Sequence, residues 1–296
     1  MIHRLIFGCG RLTGGASERE ALALVDACLV AGVRHFDTAP SYGLGTAEGV
    51  IGKVVRSGVA GLTVTAKVGS VPPRLGLAKT WARAARRLVT SERPRLGGFA
   101  PEEPREGRST ADFSESAMRA SATRSCAALG QIDWLLLHEA EARHADPAVT
   151  VALDRIAAEH GARAGYSHGA MFSAPTDAGF PDGWIAKAGI RPEWLTGSPR
   201  ELPERPLVLH SIVLTGQWLA DQDAGFANRL AAAAQLVESG DPATRRIAAC
   251  YALASAHVPQ AHLIVASSHI GRLRAVLAAL GSLDAERCAA IAAARP

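Results

Sequence analysis

Aromatic residues make up only 5% of the chain, with seven Phe, five Trp and three Tyr among 296 residues. No basic face is interleaved with these rings, so a nucleic-acid partner is not expected, although 32 Lys and Arg outnumber 28 Asp and Glu. The resulting charge of +4 is spread along the chain and suits an anionic small ligand. The densest basic region, Arg83 to Arg95, reads as a solvated helix and loop. Cysteine is sparse too: Cys9, Cys28, Cys126, Cys250 and Cys288 are odd in number and never form C-x-x-C. That excludes a disulfide framework and points to a reducing cytoplasm, with the thiols as small buried side chains. No apolar run approaches the ~18 residues of a membrane span, and the one in "MIHRLIFGCG" is too short for a signal peptide. The histidines show neither H-E-x-x-H nor another helical metal-binding spacing. Near the N-terminus "GCGRLTGG" carries glycines without the helix start of a dinucleotide-binding fingerprint, which disfavours a Rossmann fold.

What the chain does have is rhythm. Short apolar runs recur as "RLIFGCG", "VRHFDT" from Val33, "LTVTAK" from Leu62 and "IDWLLLH" from Ile132. Weaker ones follow as "ARAGYS" from Ala162, "EWLTG" from Glu193, "LVLHS" from Leu207 and "HLIVASS" from His262. Helices between them carry start and stop signals. Ser17 and Glu20 form a capping box before a run that closes at Gly32, and Ser114 opens a helix ending at Gly130. Asp146-Pro147 and Asp241-Pro242 each set an N-cap before a proline at the first helical position. Strands alternating with helices require parallel pairing through crossovers, and eight such units form a closed (β/α)8 TIM barrel. We therefore expect one α/β domain over 1–296. An insertion at about 68–112 is expected to hold a helix, "LAKTWARAARRLV", and then a long polar loop rich in Pro and Gly.

A barrel does its chemistry at the C-terminal ends of its strands. Those ends carry Asp37 after the second strand, Tyr42 just beyond it, Lys67 after the third and His138 after the fourth. Each alone has a structural explanation; four at matching positions are hard to attribute to chance. Here the sequence resembles the aldo-keto reductase superfamily. "HFDTAPSYG" is similar to its signature around Asp and Tyr, "TVTAKVG" to its lysine strand and "GQIDWLLLHEA" to its histidine strand. "YGLG" followed by Glu48 is most like the aldose 1-dehydrogenase and pyridoxal 4-dehydrogenase branch.

The resemblance implies an NAD(P)-dependent oxidoreductase that interconverts an aldehyde, ketone or sugar lactol with its alcohol or lactone. A phenol with a free pKa near 10 exchanges protons poorly at neutral pH unless a cation favours its anion. Lys67 would supply that charge, Asp37 would hold the ammonium, Tyr42 would be the general acid or base, and His138 would orient the substrate oxygen. Hydride must come from NAD or NADP, since no side chain carries one. The implied cofactor contacts are Asp37, Ser167 with His168 in place of the usual Asn, Thr196 at the sixth strand, His210 and Ser211 after the seventh, and Ser267 with Arg272 near the end. His210 occupies the place of an aromatic ring that stacks on nicotinamide. Ala266 replaces a Lys common in NADPH-preferring relatives, which leaves NAD versus NADP open. Two alternatives stand beside this reading: a cofactor-binding regulatory subunit without turnover, and a metal-dependent barrel hydrolase using the histidines.

Overall fold

Each short apolar run that ends in a polar residue can bury its length in a parallel sheet and present that residue at the rim. The computed structural model, which describes residues 1–12, 17–42, 46–69, 111–169, 179–197, 202 and 204–295, has eight strands, four of which end in a polar residue. The eight are β1 Leu5–Gly8, β2 His35–Asp37, β3 Thr63–Val68, β4 Trp134–His138, β5 Arg163–Ser167, β6 Ile185–Gly189, β7 Leu207–His210 and β8 His262–Val265. All neighbours are parallel, and Phe7 of β1 opposite Val265 of β8 closes the barrel. The outer ring comprises α1 Glu18–Val30, α2 Thr46–Arg56, α3 Glu115–Leu129, α4 Pro147–Glu159 and the short α5 Pro192–Thr196. It continues with α6 Ile212–Gln222, α7 Ala224–Gln235, α8 Pro242–His257, α9 Ile270–Gly281 and α10 Ala285–Ala292.

The expected caps are present. The Ser17 side chain accepts from the Glu20 N–H while Glu20 accepts from the Ser17 N–H, and Asp146 and Asp241 cap α4 and α8 ahead of their prolines. One strand differs from the reading. The sixth strand was expected at Glu193 and is instead Ile185–Gly189, while Glu193 to Thr196 form the end of α5. Pro192, which has no N–H to give a ladder, sits at the first helical position and starts a helix there. The expected helix and polar loop of the insertion lie at 70–110, outside the described residues. At its borders the Asp112 N–H donates to Gly69 O at 2.9 Å.

Within the barrel Ile6, Leu136, Ile185 and Val208 form an apolar plug, flanked by Trp134 and Ile264. Gly165 makes this packing possible, since a Cβ there would lie 2.3 Å from Ile185 O and 2.6 Å from Leu136 Cδ2. The larger apolar layer lies between strands and helices. The plug closes the barrel floor, so polar side chains above it can reach ligand only through the C-terminal mouth. Among the described residues no helix is long and apolar enough to cross a membrane.

Candidate active site at the barrel mouth

β2 and β3 run in register, with Asp37 opposite Thr65, and this places the next inward residue of β3 beside the carboxylate. The Lys67 ammonium donates to Asp37 Oδ1 at 2.8 Å and to the Thr38 carbonyl at 2.7 Å. Its side chain is 0% exposed and that of Asp37 is 3% exposed, so neither charge is left to water. The same ammonium lies over the face of the Tyr42 ring, 4.6 Å from its centroid. On another side of the tyrosine, His138 meets the ring edge to face at 5.8 Å. Gly10 backs it, and a Cβ there would come within 3.7 Å of Tyr42 Cζ. Asp37, Tyr42, Lys67 and His138 thus converge at one end of the barrel.

A fifth polar group, absent from the sequence reading, completes the cluster. Lys187 on β6 reaches across the barrel and donates to the same Asp37 Oδ1 at 2.7 Å. The misplacement of the sixth strand hid it. The signal available was a lysine in the middle of "WIAKAG", at a position in register with Ser167 and Val208. Burial alone would raise the Asp37 carboxyl, but Lys187 and then Lys67 hold it well below the usual carboxylate range. Burial pushes the Tyr42 phenol up to about 12, against the downward pull of Lys187. Burial and the two ammonium groups bring His138 down to about 3, so its imidazole is neutral at ordinary pH. Cys9, buried beneath the cluster, has its thiol raised by burial and by Asp37.

Ser167 and His168 are buried where β5 ends. His168 Nε2 and His138 Nδ1 have no hydrogen-bond partner among the described residues. His210 Nε2 lies 3.0 Å from the His168 carbonyl and its Nδ1 lies 2.8 Å from Ser211 Oγ. A carbonyl only accepts, so Nε2 carries the proton and Nδ1 accepts from the serine. This ring ties β7 to the end of β5. Ser211 has φ +61° and Glu139, directly after His138, has φ +55°; both non-glycine strains fall at strand ends of this mouth. Ser267 Oγ accepts from the His269 N–H at 3.1 Å ahead of α9, on whose exposed first turn Arg272 stands. Thr196 does not occupy a strand end. It closes α5, where its hydroxyl donates to Glu193 O at 3.2 Å, so its expected cofactor contact loses its structural basis.

Among the described residues no three His, Cys, Asp or Glu side chains gather as a metal ion would require. All five cysteines are free.

The protein is thus a closed (β/α)8 barrel with an ionic cluster and a tyrosine at its mouth. The Aldo/keto reductase family model matches residues 4–162, more than half of the chain, and the chain belongs to this family of oxidoreductases. A D-threo-aldose 1-dehydrogenase from Pseudomonas sp is 31% identical over 159 residues, 51% of this chain and 44% of that protein. The match therefore spans less than half of that relative. Among solved structures, an aldo/keto reductase from Klebsiella pneumoniae in complex with NADP and acetate superposes with a TM-score of 0.63 at 17% identity, covering 97% of this chain and 89% of that one. The glycerol dehydrogenase from Gluconobacter oxydans gives 0.62 at 14% identity, with 97% and 90% covered. At such identities the likeness is one of fold.

Proposed function

We propose that the protein interconverts a carbonyl, in an aldehyde, ketone or sugar lactol, with the corresponding alcohol or lactone, with Tyr42 as the general acid or base. The observation that carries this reading is the Lys67 ammonium, bonded to Asp37 and lying against Tyr42, with His138 at the ring's other side. In reduction Tyr42 gives its proton to the carbonyl oxygen; in oxidation it takes the hydroxyl proton. Neutral His138 orients that oxygen through a hydrogen bond. A nicotinamide dinucleotide, NAD or NADP, supplies or accepts the hydride when bound.

The residues present fit that group. His168 Nε2 is buried and has no partner among the described residues; it lies beside Ser167, where the two would hold the nicotinamide carboxamide. The His210 ring is fixed by its two hydrogen bonds as a surface for stacking. Ser267, the uncapped N-terminus of α9 and Arg272 offer donors and positive charge to a phosphate. Part of the aldose 1-dehydrogenase matches here, which supports a sugar-like substrate.

The test is Tyr42→Phe, assayed for turnover and for quenching of protein fluorescence by NADH and NADPH. The variant is expected to bind cofactor within about twofold of the parent and to lose turnover by about 10²–10⁴-fold. Quenching without turnover in the parent would instead support a regulatory subunit, and silence toward both cofactors would overturn the reading.

A further inference from the structure

We propose that Lys187 is a positioning residue which sets the proton affinity of Tyr42, its ammonium sharing Asp37 with that of Lys67. The inference rests on the acid–base reading of Tyr42 and assigns a second cation to it.

The geometry shows why one lysine is insufficient. Lys67 and Asp37 form a buried pair whose charges cancel, and the Asp37 charge on its own makes the Tyr42 anion harder to form. Two of the three Lys67 N–H donors are already committed, to Asp37 Oδ1 and Thr38 O. Lys187 brings a second ammonium to the same oxygen, with its side chain 7% exposed. One carboxylate against two ammonium groups leaves the cluster with a net positive charge. The histidines do not alter this balance, because His138 and His210 are both held neutral by burial. A buried ammonium is costly to desolvate, and the neighbouring inward position on β6 holds apolar Ile185. The favourable partner for Lys187 is Asp37, and the consequence of their pairing is an excess of positive charge beside the phenol.

The groups that act on Tyr42 come from every side of the mouth. Lys187 of β6 favours the anion, while Asp37 of β2 and Glu139 after β4 oppose it; Cys9 after β1, its thiol raised by burial, stays protonated and adds no charge. Lys67 of β3 faces the ring and His138 of β4 its edge. Removing Lys187 takes away one of the two ammonium groups and leaves Lys67 alone against the Asp37 charge that opposes the phenolate.

The proposal is tested with Lys187→Met in two measurements. The first needs no cofactor. With only three tyrosines in the chain, difluorotyrosine incorporation and fluorine NMR resolve each phenol, and Tyr42→Phe identifies the Tyr42 signal. In Lys187→Met this signal is expected to titrate about one pH unit higher than in the parent. The second is the pH profile of kcat/KM in the oxidation direction, where Tyr42 must be deprotonated. Its rising limb should move upward with the NMR titration, and the rate near pH 7 should fall about tenfold. Adding n-propylammonium to Lys187→Ala should move the limb back, while sodium chloride at equal ionic strength should not.

A fluorine titration unchanged by Lys187→Met overturns the proposal, because a merely structural lysine lowers rates without altering Tyr42. A shifted titration with a stationary kinetic limb supports the link between Lys187 and Tyr42 and overturns the acid–base role of Tyr42.

Discussion

His35, His138 and His210 sit where water is too scarce to support a charge, and burial lowers the first two to about 3 and the third to about 4. An unfolded histidine titrates near 6.5, so between that pH and the folded values the unfolded chain binds more protons. The stability these neutral rings contribute is complete above about 6.5 and is lost as pH falls toward 4 for His210 and toward 3 for His35 and His138, at about 1.4 kcal/mol per pH unit for each ring. His35 isolates the effect because it is on the barrel floor, where Nε2 pairs with Thr65 Oγ1 at 2.7 Å and Nδ1 with Thr63 Oγ1 at 2.8 Å. His35→Gln keeps a hydrogen-bonding side chain without the titration. Urea denaturation at pH 7 and pH 5 should show the variant losing less stability on acidification, by about one proton's slope. At this scale the sequence was legible where chemistry is local to a strand end: Asp37, Tyr42, Lys67 and His138 each follow an apolar run. Lys187 was not, because its partner is 150 residues away and its own strand looks too small and polar to be one.

Between elements, what a residue does depends on the neighbour it faces. Gly49 and Gly52 both lie in α2, and helix propensity alone would favour Ala at either by about 1 kcal/mol. The structure separates them. A Cβ at Gly49 meets nothing within 4 Å, whereas one at Gly52 would lie 2.0 Å from the Ala128 carbonyl of α3. That carbonyl also accepts from Arg56 Nη1 at 3.0 Å, which fixes it further. Gly49→Ala should therefore raise the urea midpoint. Gly52→Ala should lower it by a net ~1–2 kcal/mol, as strain from forcing α2 away from α3 exceeds the gain in propensity. The sequence revealed the helices through Ser17, Ser114, Asp146 and Asp241, because a cap and its helix are neighbours in the chain. It did not reveal which glycine serves packing, since the carbonyl that demands it belongs to another helix. The confusion of β6 with α5 has the same origin: Trp and Thr favour a strand locally, while "IAKAG" becomes one by pairing on both sides with β5 and β7.

For the molecule as a whole, eight alternating units imply closure, but the side chain that fastens the seam is not evident from its position near the start of β1. Arg4 donates through Nε and Nη2 to the Ala261 carbonyl at 2.9 and 2.7 Å, through Nη2 to Val258 O at 2.8 Å and through Nη1 to Ser255 Oγ at 2.8 Å. Those acceptors lie at the end of α8 and just before β8, so one guanidinium joins the first strand to the last and also faces the carbonyl end of a helix dipole. Its partners are mostly backbone carbonyls, which no sequence motif marks. The seam is at the N-terminal face, whereas the Asp37 cluster is at the mouth, and barrels divide stability from chemistry along that axis. Arg4→Met removes the charged donors and leaves their acceptors to find water. The expected loss is about 2–3 kcal/mol in urea denaturation. Arg4→Lys should recover only part, because one ammonium cannot reproduce the planar fork that spans Ser255, Val258 and Ala261. Under conditions where both proteins are folded, cofactor affinity and the pH profile of Arg4→Met should match the parent. A change in either would mean that seam and mouth are mechanically coupled through the barrel.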